Sequence, residues 1–230
     1  MIRTLSFDPP AWNKKEIMRY AKIRGADEVY EKLIEECIAE AKTTLSYRVC
    51  YTVTEVIRSN NAITFGSIMT DSDTIQKAIG ESHRVLLFAA TIGAPFDRLL
   101  QRYSLIMPSK ALILHAIGAE RVESLCDAFC AQINKELNSA QKQLTRRVSP
   151  GYGDIPLAMQ KELFSVLDCP RKIGLTLDES LLMSPSKSVT AICGITDDNI
   201  CETDKCSACG KTDCAYRQRG KHGFQKVFTR

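Results

Sequence analysis

Residues 44–69 read TLSYRVCYTVTEVIRSNNAITFGSIM. The first part, Thr44–Ile57, is rich in β-branched residues and tyrosine, which favour strands. Asn60-Asn61 is a turn signal, and Ile63–Met69 is a second strand-forming run. The stretch therefore predicts a β-hairpin, in which two neighbouring strands run antiparallel.

Helical and strand patterns follow each other irregularly on both sides of this hairpin. Asp27–Lys42 carries apolar residues at helical spacing, and Ser109 is a plausible N-cap for a long helix that reaches about Leu137. Because helices and strands do not alternate strictly, the sequence predicts an α+β fold. The further predicted strands are Arg84–Thr91, which is a continuous apolar run, Ile173–Leu177 and Ser188–Ile195.

Charge is distributed unevenly along the chain. The 230 residues have a net charge of +4, but residues 215–230 hold five basic residues and no acid, which leaves −1 on the preceding 214. A near-neutral body is not typical of a protein that coats nucleic acid, and the basic tail is suited to docking an acidic partner. The five basic residues are Arg217, Arg219, Lys221, Lys226 and Arg230.

Neither a membrane segment nor a secretory signal is evident in the sequence. The most apolar runs, Val85–Thr91 and Ala111–Ile117, are far shorter than the roughly 20 residues that span a bilayer. Residues 1–10 lack the apolar core of a signal peptide. Six of the ten cysteines are scattered through apolar or amphipathic segments, where a thiol behaves as a small hydrophobe. We therefore expect a cytoplasmic protein with no membrane partner.

The other four cysteines form a candidate metal site within fourteen residues, at Cys201, Cys206, Cys209 and Cys214. Thiolates are soft ligands, and four of them in one short polar loop suit tetrahedral zinc or an iron–sulfur cluster. Structural zinc sites usually use two ligand pairs separated by a folded spacer, which is absent here. The spacing favours a 4Fe–4S cluster, with zinc and disulfides as the alternatives.

A second candidate site is the glycine-containing stretch RRVSPGYGDIP, residues 146–156. It is neither a dinucleotide fingerprint nor a phosphate loop, because it lacks the third glycine and the Gly-Lys-Ser/Thr sequence. Gly151 and Gly153 let the backbone approach a flat ligand closely, and an arginine just upstream can pair with a carboxylate bidentately. A third segment, LTLDESLLMSPSKSV at residues 175–189, has the pattern strand, polar turn, strand.

In this order and at this separation, the two segments resemble the AdoMet-binding activation domain of cobalamin-dependent methionine synthase. That family has an Arg-x-x-Pro-Gly-Tyr loop ending in proline, then a helix, then Leu-Thr-Glu-Ser-x-x-Met-x-Pro-x-x-Ser-Val. Asp178 stands where the family has the threonine. The matching residues are Arg147, Pro150, Gly151, Tyr152, Pro156, Leu177, Glu179, Ser180, Met183, Pro185, Ser188 and Val189.

The resemblance implies a mostly antiparallel sheet with flanking helices, and AdoMet held by the long helix and the Pro-Gly-Tyr loop. Arg147 would bind the methionyl carboxylate, and Glu123, on the predicted helix Lys110–Leu137, would bind the polar end of the ligand. The loop backbone around Pro150 and Gly151 would meet the adenine, and Tyr152 is a further predicted AdoMet-binding residue. We expect residues 1–196 to form this body, with no recognisable motif in 1–105 and the motifs in 106–196. Residues 197–230 would carry the four-cysteine loop and the basic tail.

The function implied by the resemblance is that of a stand-alone reactivation protein. It would use AdoMet for the reductive methylation of cob(II)alamin on a partner corrinoid protein, either a methionine synthase or a related methyltransferase. The cluster would relay electrons from a flavodoxin or ferredoxin. The chain has no Asp-x-His-x-x-Gly pattern for a corrinoid ligand, so the partner would supply cobalamin. His115, among Leu112, Leu114 and Ile117, is predicted to be a core histidine.

Two other functions remain open at this point, and no catalytic residue is assigned. The first is a non-catalytic accessory protein that binds AdoMet or a corrinoid and carries a structural zinc. The second is a zinc-knuckle nucleic-acid binder using Arg217, Arg219 and Lys221. It is disfavoured because Phe224 and Phe228 alone do not make an interleaved aromatic surface.

Overall fold

The computed structural model describes residues 1–23 and 28–197. The chain divides into two units, Met1–Asp198 and Asn199–Arg230, and only the first contains described residues. The first unit has an α+β fold, as the sequence predicts. Its helices are α1 (Lys14–Tyr20), α2 (Glu28–Lys42), α3 (Asp73–Ile79), α4 (Ala94–Ile106), α5 (Pro108–Asn138), α6 (Met159–Leu167) and α7 (Cys169–Ile173).

Seven strands form one sheet in the order β4-β3-β2-β5-β9-β6, and β1 also pairs with β2. Every strand pairing in the described part of the chain is antiparallel, which confirms the predicted sheet. A separate two-stranded hairpin consists of β7 and β8. The strands are β1 (Arg3–Phe7), β2 (Tyr47–Arg58), β3 (Ile63–Phe65), β4 (Ile68–Thr70), β5 (Arg84–Thr91), β6 (Gln143–Leu144), β7 (Thr176–Leu177), β8 (Met183–Ser184) and β9 (Ser188–Thr196).

Helices cover both faces of the sheet, which explains why β5 is apolar throughout. Side chains alternate between the two faces of a strand. Leu86 and Phe88 join a core with residues of α1, α2, α4 and α5, whereas Val85 and Leu87 join a second core with α3, α6 and α7. The strand is buried from both sides, so it does not show the polar alternation of a half-exposed strand.

Two local predictions need correction. The long helix begins at Pro108 and does not use Ser109 as its N-cap, because proline is well suited to the first helical position. The N-cap residue is Met107, whose side chain makes no capping hydrogen bond. The predicted strand Ile173–Leu177 is instead the end of helix α7 followed by the short strand β7. Helix α7 has Pro170 in its first turn and ends at Gly174, whose φ of 69° is left-handed.

The N-terminal segment is fastened to α5 by a buried ion pair between Glu120 and Arg121. The Arg121 side chain is fully buried, and its guanidinium donates to the carbonyl oxygens of Pro10 and Ala11 at 2.7 and 2.8 Å. Glu120 accepts from the backbone N–H of Asn13 at 3.2 Å. Because both charges are paired and hydrogen-bonded, the pair is tolerated inside the protein.

We expect Glu120→Ala to lower the free energy of unfolding by about 3–5 kcal/mol, because it leaves the Arg121 guanidinium buried without its counter-charge. Urea unfolding measures the change. Glu136→Ala is the matched control, since Glu136 is exposed on the same helix, and it should cost less than about 0.5 kcal/mol. Equal unfolding free energies for the two variants would show that the pair contributes nothing.

Candidate functional site

Arg147 lies between β6 and α6, and α5 supplies two carboxylates to it. Its Nη2 donates to Glu123 Oε2 at 3.0 Å and to Asp127 Oδ1 at 2.7 Å. Glu123 and Asp127 are four residues apart and therefore lie on one face of the helix. The structure thus brings together the predicted pair Arg147 and Glu123, and adds Asp127, which sequence reasoning missed.

Not all N–H groups of the Arg147 guanidinium are hydrogen-bonded to described residues. The side chain is only 14% exposed. Within residues 1–23 and 28–197, Nε and Nη1 of Arg147 make no hydrogen bond, since both bonds leave from Nη2. Guanidinium N–H groups that are mostly shielded from water gain from meeting an acceptor. Nε and Nη1 have no acceptor among the described residues.

Electrostatics fix the charges of this site at neutral pH. Burial alone would lower the pKa of Arg147, but nearby negative charges, including those of Glu123 and Asp127, more than offset it and raise the pKa above its usual range. The pKa values of two adjoining thiols are also raised, that of Cys126 by burial and that of Cys193 by a hydrogen bond with Cys130 and by burial. The site therefore combines a permanent cation with carboxylates and neutral thiols.

The Pro-Gly-Tyr loop comes shortly after Arg147 and forms a compact turn. The N–H of Gly151 donates to the carbonyl of Ile155 at 3.0 Å, and the N–H of Ile155 donates to the carbonyl of Tyr152 at 3.1 Å. Gly151 has a φ of 87°, a left-handed conformation that favours glycine. Pro150 is buried, whereas Tyr152 is 71% exposed, so the tyrosine ring is accessible to a ligand or a partner.

The second motif-bearing segment shapes the sheet beside this loop. Met183 lies in the β7–β8 hairpin, and Glu179 and Ser180 lie in its exposed turn. Ser188 begins strand β9, and its hydroxyl donates to the carbonyl of Pro185 at 2.8 Å. Strand β9 then runs between β5 and β6. Strand β9 also bridges Val148, the residue that follows Arg147, through Ile192.

The prediction that His115 is a core histidine is wrong. His115 is exposed on α5, and its Nδ1 lies 3.2 Å from Lys187 Nζ. Partial burial and then the lysine charge lower the pKa of the imidazole, which favours the neutral form as an acceptor for the ammonium group. The neighbouring Leu112 is also 55% exposed, so the apolar neighbours were misleading.

No metal-binding group is present in the part of the chain that the structure describes: it contains no cluster of three or more His, Cys, Asp or Glu arranged to hold an ion. The predicted ligands Cys201, Cys206, Cys209 and Cys214 lie outside the described residues. None of the described helices is long and apolar enough to cross a membrane.

A surface depression of about 530 Å³ lies at the junction of α6 and α7, and none of the predicted AdoMet-binding residues lines it. It is wide open to solvent and only the end of one helix and the start of another form its wall, so we do not assign it to the AdoMet site. Its lining residues are Phe164, Ser165, Asp168, Pro170 and Arg171.

The described part of the chain is an α+β protein with an antiparallel sheet between two helical layers and a Pro-Gly-Tyr loop after the mostly shielded Arg147. The chain belongs to the family described as vitamin B12 dependent methionine synthase, activation domain, whose match spans residues 50–199. The match begins well before the motif-bearing region, at strand β2.

A solved structure has the same fold. The chain is similar to the MetH reactivation domain, crystallised bound to AdoHcy, with a TM-score of 0.61 and 13% sequence identity. The alignment covers 84% of this chain and 78% of that one. At this identity the similarity establishes the fold alone. Comparison with curated protein sequences gives no match.

Proposed function

We propose that this protein binds AdoMet and supports the reductive methylation of cob(II)alamin on a corrinoid protein, either a methionine synthase or a related methyltransferase. One observation carries the proposal: Arg147 is shielded from water, is steadied by two carboxylates, and still has unused donors in the described residues. An arginine in that state is suited to binding a carboxylate. The AdoHcy in the related MetH structure supports the choice of ligand.

The charges of the site complement the methionyl end of AdoMet. That end carries a carboxylate, an ammonium group and, at the sulfur, a sulfonium charge. The carboxylate would bind Arg147, and the ammonium would bind Glu123 and Asp127, which are 43% and 64% exposed and lie within reach of solvent. The three side chains together carry −1, so they favour AdoMet, whose net charge is +1, over the zwitterionic AdoHcy, whose net charge is zero.

The loop and the helix would orient the ligand for methyl transfer. Pro150 and Gly151 would present backbone to the adenine, while Glu123 and Arg147 fix the methionyl end. The substrate cob(II)alamin gains one electron, and the resulting cob(I)alamin attacks the methyl carbon of AdoMet. As the cobalt–carbon bond forms, the sulfur–carbon bond breaks with its electron pair on sulfur, and AdoHcy leaves. The contribution of the protein is positioning and the exclusion of water.

The four-cysteine loop fits a 4Fe–4S cluster, because four thiolates in one short polar loop are the donor set that such clusters use. Cys201, Cys206, Cys209 and Cys214 would hold it, and the cluster would supply single electrons received from a flavodoxin or ferredoxin. The body would be residues 1–196, and residues 197–230 would carry the cluster and the basic tail. The corrinoid would come from outside these 230 residues, which lack the Asp-x-His-x-x-Gly pattern.

The test mixes the protein anaerobically with trideuteromethyl-AdoMet, a low-potential reductant and a corrinoid protein loaded with cob(II)alamin. We expect methylcobalamin to appear in the visible spectrum and to carry the three deuterons in its mass spectrum. The control omits the protein and keeps every other component. Equal rates of methylcobalamin formation with and without the protein would contradict the proposed function.

A further inference from the structure

Asp154, just after the Pro-Gly-Tyr loop, binds the beginning of helix α3. Its Oδ1 accepts from the Ser72 hydroxyl at 2.7 Å and from the Thr74 N–H at 3.1 Å, and its Oδ2 accepts from the Asp73 N–H at 2.7 Å. The first N–H groups of a helix have no partner within the helix, so the carboxylate satisfies donors that would otherwise need water. The contact joins segments about eighty residues apart in sequence.

The loop backbone is pressed against the same helix at Gly153. A Cβ at this position would lie 2.3 Å from Thr74 Oγ1, and the φ of Gly153 is 61°. Both the close approach and the left-handed backbone require glycine. The N–H of Asp154 also points to Thr74 Oγ1, at 3.5 Å. Gly153 and Asp154 therefore dock as one unit on α3.

The other end of the loop is fixed to strand β9. Val148, which directly follows Arg147, exchanges two backbone hydrogen bonds with Ile192, at 2.9 and 3.0 Å. Helix α3 is itself close to β9, since a Cβ on Gly194 would lie 2.9 Å from the backbone of Ile79. The segment that contains Pro150, Gly151 and Tyr152 thus runs between two fixed points, and Asp154 makes the second one.

The Asp154 carboxylate stays ionised in this contact. The hydroxyls of Thr74 and Ser72, followed by the N–H groups of Thr74 and Asp73, hold its pKa well below the usual range. A carboxylate that accepts several hydrogen bonds at a helix N-terminus is favoured in its charged form. The contact therefore does not depend on pH near neutrality.

We propose that Asp154 is a positioning residue of the AdoMet site: by fastening the loop to α3, it presets the backbone of residues 150–152 for the ligand. The inference rests on the proposed function for the ligand and for the contact between the loop backbone and the adenine. A preset loop matters for affinity, because ordering a flexible loop on binding reduces the net free energy of ligand binding. An error of about 1 Å in position is enough to cost a large part of activity.

The test compares Asp154→Ala and Asp154→Asn with the control Glu81→Gln. Glu81 is an exposed acid just past the C-terminal end of helix α3, at the opposite end from the N–H groups that Asp154 binds. We expect Asp154→Ala to weaken AdoHcy binding, measured by calorimetry, about tenfold, and to raise amide exchange across residues 149–156 without ligand. Asp154→Asn keeps one acceptor oxygen and should fall in between. Glu81→Gln should match the wild type in both measurements.

The two measurements separate the possible failures. If the wild type binds AdoHcy and Asp154→Ala binds it equally well, with unchanged amide exchange, the positioning role is overturned. If the wild type itself does not bind AdoHcy, the proposed function fails, and amide exchange alone decides whether Asp154 fixes the loop. Should Asp154→Ala fail to fold, the asparagine variant, which has the same shape, carries the comparison.

Discussion

Replacing Arg147 with alanine is expected to weaken AdoMet and AdoHcy binding at least about thirtyfold. Truncating one partner of a shielded, hydrogen-bonded charge pair costs about 2–5 kcal/mol, and each 1.4 kcal/mol is a factor of ten in affinity. The fold should survive, because Glu123 and Asp127 are about half exposed and water can solvate them once the arginine is gone. Calorimetric titration of the wild type and the variant with AdoHcy measures the loss.

Arg146→Ala is the matched control for this prediction. Arg146 is the adjacent residue and carries the same charge, but it is exposed and makes no ion pair with a described residue. Its removal tests whether the effect comes only from a general change in charge. If Arg146→Ala and Arg147→Ala lose the same affinity, or if neither loses any, then Arg147 does not bind the ligand carboxylate.

Replacing Cys206 and Cys209 together with serine is expected to remove all bound iron from the anaerobically purified protein. The wild type should contain about four irons and four acid-labile sulfides per chain, with broad absorbance near 400 nm that dithionite bleaches. The double variant loses half of the thiolate ligands, and serine oxygens do not replace them for a soft metal centre. Iron and sulfide analysis of both proteins measures the difference.

Cys37→Ala is the control for the cysteine variants. Cys37 is fully buried on α2, and burial raises the pKa of its thiol to about 11, so it is neutral at physiological pH. It belongs to no metal-binding group among the described residues. The Cys37→Ala protein should keep its iron. If the wild type contains one zinc and no iron, the four cysteines hold a structural metal and the proposed electron relay is wrong. If it contains no metal, the four cysteines form disulfides.

The largest sheet elements were predictable because their patterns are local. Strand β5 is apolar on both faces, and the run from Arg84 to Thr91 predicts its bounds as the structure has them. The hairpin around Asn60-Asn61 is also confirmed, although Gly66 divides its second strand into β3 and β4. Helix α7 was not predicted, and of the strand predicted at Ile173–Leu177 only Thr176 and Leu177 are a strand. A five-residue helix with proline and glycine at its ends has no room for helical periodicity.

The site was predictable only in part. The family resemblance supplied Arg147 and Glu123, and the structure places them 3.0 Å apart. Asp127 follows from helical spacing once Glu123 is chosen, but nothing in its neighbourhood distinguishes it from a solvated surface acid. The partners of Asp154 lie about eighty residues away, so no local pattern contains that contact. His115 was misjudged because its apolar neighbours in sequence lie partly on the exposed face.

The clamp between Arg121 and the carbonyls of Pro10 and Ala11 bears on how shortened versions of this protein should be designed. The family match starts at residue 50, which invites an expression boundary there. Such a fragment would lack β1, α1 and α2. The buried Arg121 guanidinium would then have lost its hydrogen bonds to the carbonyls of Pro10 and Ala11. The leading segment is therefore part of the folding unit, and a purification tag belongs ahead of residue 1 instead of in place of residues 1–49.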